Sequence, residues 1–134
     1  MRLVIVDTNV ASFLFKEDTR AELYDPHLEG DTLQAISFMT LAELEQWGVL
    51  RKWGPTRREE LANFVSDKFV VVDSNEALCR MWAEVRGLAQ RAGRHIDVAD
   101  AWIAATALLY NAELATHNPN HFDFLPGLTI ITEA

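Results

Sequence analysis

The stretch Arg2-Leu-Val-Ile-Val-Asp-Thr-Asn-Val10 decides how the rest of the chain is read. Leu3, Val4, Ile5 and Val6 form an unbroken apolar run, the pattern of a strand covered on both faces rather than one with a wet side. The run stops abruptly on Asp7, Thr8 and Asn9. A buried carboxylate without a partner is costly. Asp7 is therefore at the surface, hydrogen-bonded, or facing a cation.

Outward from this strand, apolar strands alternate with helical patterns. Residues 9–15 suit a short helix, residues 18–30 are ambiguous, and YDPHLEGDT (24–32) reads as loop. Residues 33–38 form a second strand candidate. Leu41, Leu44, Trp47 and Leu50 then recur at helical spacing over 39–54, up to Gly54-Pro55. Thr56, with Glu59 three residues on, predicts a capping box for the next helix, through Lys68. Residues 69–73 give a third strand. Ser74 is placed to cap a helix whose apolar face is Leu78, Met81, Trp82, Val85, Leu88 and Ala89, closed by Gly93. An alanine-rich helix over 95–112 and strands at 113–118 and 128–132 complete the chain. This alternation predicts an α/β fold: one three-layer domain, residues 1–134, around a mainly parallel sheet of four to five strands.

The bulk properties narrow the classes. The 134 residues are 49% hydrophobic and 24% charged, enough for one real core. No apolar run approaches the ~18–20 residues of a membrane helix. No basic-then-apolar leader pattern opens the chain, so no signal peptide is expected. The single cysteine, Cys79, cannot form an internal disulfide, which agrees with a reducing, cytoplasmic setting. A net charge of −8 gives no global attraction to nucleic acid, so any grip on RNA or DNA must be local or carried by a cation.

In open parallel sheets, ligands bind beyond the carboxyl ends of the strands. Asp7 ends the first strand there, Glu43 lies a turn into the helix after the second, Asp97 and Asp100 open the alanine-rich helix, and Asn118 ends the fourth strand. Carboxylates gathered this way repel one another, and a divalent cation relieves the repulsion. Oxygen donors without cysteine suit Mg²⁺ or Mn²⁺ rather than Zn²⁺. Each residue also has a plainer role: Asp7 and Asp97 as helix caps, Asp100 as an acid favoured by the helix dipole, Glu43 as a solvated helix acid, Asn118 as a turn former before Pro119.

Four stretches taken together resemble the PIN-domain ribonucleases, and within them the VapC toxins of toxin–antitoxin pairs. They are VIVDTNV (4–10), ISFMTLAELEQWG (36–48), HIDVADAWIAATAL (95–108) and LATHNPNHFDFLPGLTI (114–130). The resemblance implies catalytic acids at Asp7, Glu43 and Asp100, which would hold Mg²⁺ or Mn²⁺. Asn118 and Asp97 are further candidate ligands, with Thr8 and Asn9 in support. It implies cleavage of single-stranded RNA, a homodimer, and a small antitoxin partner (VapB-like) whose tail enters the acidic site. In one respect the chain departs from the pattern. The acid that often precedes the phenylalanine after Thr-x-Asn is replaced by His121 before Phe122, while Asp123 follows it.

That departure keeps open a second reading, a PIN-fold binding module with weak or no nuclease activity. A phosphoreceiver domain would need an acidic pair after the first strand and a lysine after the fifth, and an aspartic protease a glycine after Asp-Thr; the chain has none of these. Basic residues gather at Arg51, Lys52, Arg57 and Arg58, and again at Arg80, Arg86, Arg91 and Arg94. Each group is either a solvated face or a track for RNA. His117 and His121 read as surface histidines close to the proposed site. Trp82 and Trp102 suit the core, Trp47 and Trp53 a subunit or antitoxin contact.

Overall fold

The computed structural model describes all residues, 1–134. Its central sheet has the strand order β3-β2-β1-β4-β5, with β1 at Arg2–Val6, β2 at Thr32–Ser37, β3 at Val70–Val72, β4 at Glu113–Ala115 and β5 at Ile130–Ile131. Every pairing is parallel. The opening strand is thus the middle of the sheet, which explains its unbroken apolar sequence. Val4 and Val6 point into one core with Ile36 and Ala115; Ile5 points into the other with Ala35 and Leu114.

The helices divide between these two cores. On one face lie α1 (Thr8–Lys16), α2 (Ala21–Leu28), α4 (Pro55–Lys68) and, through Leu44, α3 (Phe38–Leu50). On the other lie α5 (Glu76–Arg91) and α6 (Val98–Leu109). The result is a three-layer α/β domain. The first crossover leaves β1 toward β2, whereas β4 lies on the opposite side of β1 and leads to β5. The carboxyl ends of β1 and β4 therefore flank the point where the chain switches direction across the sheet, where such folds open a crevice.

Several local expectations need correction. The ambiguous segment over 18–30, with loop expected from Tyr24 on, contains α2, because Ala21, Tyr24 and Leu28 make a buried stripe at helical spacing. Pro26 sits in the last turn, where its missing N–H forfeits one bond without breaking the helix. Thr56 caps nothing: Gly54 takes the cap position, and Pro55 fills the first helical place, where no N–H is needed. Asn75, not Ser74, caps α5, its Oδ1 accepting from the Leu78 N–H at 2.8 Å. The helix expected over 39–54 ends at Leu50, with Lys52 at φ +55. The helix expected over 95–112 is shorter, since Gly93 (φ +66) follows the end of α5 and residues 94–97 are outside any helix, with Asp97 extended at the start of α6. Strands β4 and β5 span only the residues that pair, so His117 and Asn118 lie beyond the sheet.

Candidate active site

Asp7 follows directly on β1, and Thr116 follows directly on β4. Val6 and Ala115 are paired in the sheet, so these two residues emerge side by side. The Asp7 N–H donates to the Ala115 carbonyl at 2.9 Å, and the Thr116 hydroxyl donates to Asp7 Oδ2 at 2.7 Å. Asp7 Oδ1 accepts from the Thr8 N–H at 2.7 Å. Asp7 is thus both a strand-end acid and the cap of α1, so the two readings of this residue are compatible.

The next two residues act as struts. The Thr8 hydroxyl lies 2.7 Å from Glu43 Oε1 and 3.0 Å from Thr40 Oγ1, linking the start of α1 to the second turn of α3. Asn9 Oδ1 accepts from the His117 N–H at 3.2 Å and from the Val10 N–H at 2.7 Å, tying α1 to the segment after β4. Asp100 enters from the first turn of α6, with Oδ2 3.0 Å from His121 Nδ1. His121 comes from a short 3₁₀ turn, Pro119–His121.

Asp7, Thr8, Asn9, Glu43, Trp47, Asp97, Asp100, Asn118 and His121 line one crevice of about 210 Å³. The residues singled out from the sequence therefore converge. They differ in depth. Asp7 is 5% exposed, whereas Asp97 and Asn118 stand at the rim. Asp97 occupies the cap position of α6 without capping it through its side chain; its Oδ1 lies 2.8 Å from His95 Nε2 instead. Asp123 is held outside the crevice by Arg94 Nη2 at 3.3 Å. His117 is not a surface histidine. It packs edge-on against Phe13, with Nδ1 2.6 Å from the Tyr24 hydroxyl.

Burial and like charge act together on the acids. Asp7 is pushed up to about 6, first by burial, with Asp100 and Glu43 adding to the rise and the Thr116 hydrogen bond opposing it. Burial also raises Glu43, against the Thr8 hydrogen bond. Asp100 is raised by burial and held back by His121. As the side chains stand, no three acidic or histidine groups are close enough to enclose an ion. The donor chemistry nonetheless fits one: three carboxylates whose ionised forms repel each other face a shared space lined by oxygen donors. Such a set suits a hard divalent cation that keeps several waters of its own.

Two site residues escaped the sequence reading, Thr116 and Trp47. Thr116 lies within a quoted stretch, but nothing in that stretch marks its hydroxyl as the partner of an acid 109 residues away. Trp47 could have been placed from its spacing, four residues and one turn after Glu43 on the same helix face.

A fully parallel sheet with a carboxylate-lined crevice at its switch point defines an α/β protein whose ligand edge is acidic. The PIN domain family model matches residues 4–125, and the chain belongs to this family. It is 30% identical to ribonuclease VapC1 of Haemophilus influenzae over 94% of each chain. It is 29% identical to ribonuclease VapC4 of Mycobacterium tuberculosis over 98% of each. Among solved structures it superposes on a chain of VapBC2 from Rickettsia felis, bound to a promoter DNA fragment. There the TM-score is 0.84 at 26% identity, covering 98% of this chain and 99% of the other.

Proposed function

We propose that this chain is the endoribonuclease toxin of a toxin–antitoxin pair. It would cut single-stranded RNA with Mg²⁺ or Mn²⁺ at the crevice formed by Asp7, Glu43 and Asp100. The observation that carries the reading is the convergence of these three acids, from β1, α3 and α6, on one crevice. Near full-length similarity to VapC ribonucleases supports the same activity.

In this reading the three carboxylates hold the ion, with Asn118 and Asp97 at the rim as further oxygen donors. Thr116 aims Asp7, Thr8 aims Glu43, and Asn9 braces α1 against the loop that carries Asn118. When bound, the ion supplies positive charge for the phosphodiester and an acidified water to attack phosphorus. Neutralising the acids also removes the repulsion an RNA phosphate would otherwise meet.

The PIN domain fills residues 1–134, and the protein works in the cytoplasm as a homodimer held in check by a VapB-like antitoxin. No helix of the fold is long and apolar enough to cross a membrane. Incubating the purified protein with a pool of cellular RNA tests the activity. Cleavage is expected with Mn²⁺ or Mg²⁺ and none with EDTA. Intact RNA in both arms would favour a PIN-fold binding module instead.

A further inference from the structure

We propose that Lys16 and Arg51, gathered on the Trp47 ring, bind a backbone phosphate of the RNA strand flanking the one that is cut. The inference rests on the nuclease reading above and identifies where an acidic protein grips its substrate.

With a net charge of −8, the chain must hold RNA through local positive charge. Most of its cations are already engaged. Arg20, Arg57, Arg58, Arg80 and Arg94 each pair with a carboxylate. Arg86 donates to the Ile96 carbonyl, so the arginine group on and after α5 is largely absorbed by the fold. Lys16, Arg51, Lys52, Lys68 and Arg91 make no ion pair with a carboxylate, and of these Lys16 and Arg51 are the two that lie over the Trp47 ring.

Both cations are brought to one place. Lys16 ends α1 and Arg51 follows α3, yet Lys16 Nζ and Arg51 Cζ each lie 5.2 Å from the centroid of the Trp47 ring. The indole attracts cations through its ring quadrupole and limits the motion of two long side chains. Trp47 also lines the acidic crevice, one turn beyond Glu43. These two cations therefore begin where the acidic crevice ends.

The arrangement has a cost that an anion would relieve. Desolvation, and then the Arg51 charge, lower the Lys16 pKa. A phosphodiester between the two would cancel that repulsion. An acidic peptide offers the same charge, but RNA is favoured because the cations share Trp47 with the crevice that would receive the scissile phosphate.

The test is equilibrium binding of a fluorescein-labelled single-stranded RNA to Asp100→Asn protein, which removes turnover, read by anisotropy from about 50 to 200 mM KCl. Each lost phosphate contact flattens the slope of log K against log salt by ~0.7 for a single strand. The Lys16→Gln/Arg51→Gln double variant is expected to lower the slope by about 0.7, the share of the one phosphate the pair holds, and each single variant by part of that amount. Lys16→Arg is expected to retain it, and melting temperatures of all variants should match the parent. Unchanged slopes in both single variants would overturn the inference, with the nuclease reading intact. So would weaker binding of poly-glutamate with RNA binding unaffected, which would assign the pair to an acidic peptide. If the parent binds no RNA at all, the nuclease reading falls as well.

Discussion

Thr116 and Asp7, 109 residues apart in sequence, are joined by a 2.7 Å hydrogen bond between two groups that are almost wholly buried. The hydroxyl opposes the desolvation that raises the Asp7 pKa. Thr116→Val removes the donor while keeping the shape. Hydrogen bonds to charged groups are worth about 1.5–3 kcal/mol, so a loss of that order is expected near pH 8. The loss should shrink toward pH 5, where the carboxyl is protonated. Urea unfolding at the two pH values measures both; equal stability of variant and parent at pH 8 would show the bond to be inconsequential.

The three acids differ in burial but share one crevice. Asp7→Asn, Glu43→Gln and Asp100→Asn should each reduce RNA cleavage by at least about 100-fold, the scale for losing a group that stabilises transition-state charge. The fold should persist, because each replacement preserves volume and keeps an acceptor oxygen. Cleavage assays with circular dichroism on the same preparations decide the point. An Asp100→Asn protein that cuts as fast as the parent would remove that residue from the site.

The raised acid pKa values fix the sign of a pH effect. A carboxyl whose folded pKa lies above its unfolded value binds its proton more tightly in the folded state. Stability of the metal-free protein should therefore fall as pH rises through the window from about 4 to about 6 for Asp7. A shift from 3.8 to about 6 corresponds to ~3 kcal/mol at 1.36 kcal/mol per unit. Melting in EDTA at pH 5.5 and 7.5 should show the parent losing stability with rising pH, and Asp7→Asn losing distinctly less. Parallel losses would assign the pH dependence to other groups.

Mn²⁺ should reverse that penalty. An ion that binds only the folded protein stabilises it by RT ln(1 + [L]/Kd), about 2.7 kcal/mol at a hundredfold excess over Kd. The melting temperature at pH 7.5 should climb with Mn²⁺, and the climb should be smaller in Asp7→Asn and Glu43→Gln. A flat response over millimolar Mn²⁺ would argue against ion binding to these acids.

Much of this site was legible because the fold is simple where it matters. A doubly covered central strand has to be apolar throughout, so the acid that ends it stands out in Leu3–Asp7. Glu43 and Asp100 sit near helix starts that follow or face strand ends, positions that an alternating α/β pattern locates without coordinates. The helix α2 was missed because its signal is weak: three buried residues, a proline inside, and polar side chains elsewhere. Thr116 and the Tyr24–His117 contact were missed for a different reason. Both depend on which strands lie side by side, and the order β3-β2-β1-β4-β5 is not written in local periodicity. The role of Asp123 depended likewise on Arg94, whose reach to the segment after β4 only the folded chain reveals.

The central place of β1 bears on how such an enzyme is made. Its neighbour on one side comes from residues 113–115, and Asp100 arrives only with the helix just before them. Residues through Thr116 must therefore have left the ribosome before Asp7, Asp100 and Thr116 can come together.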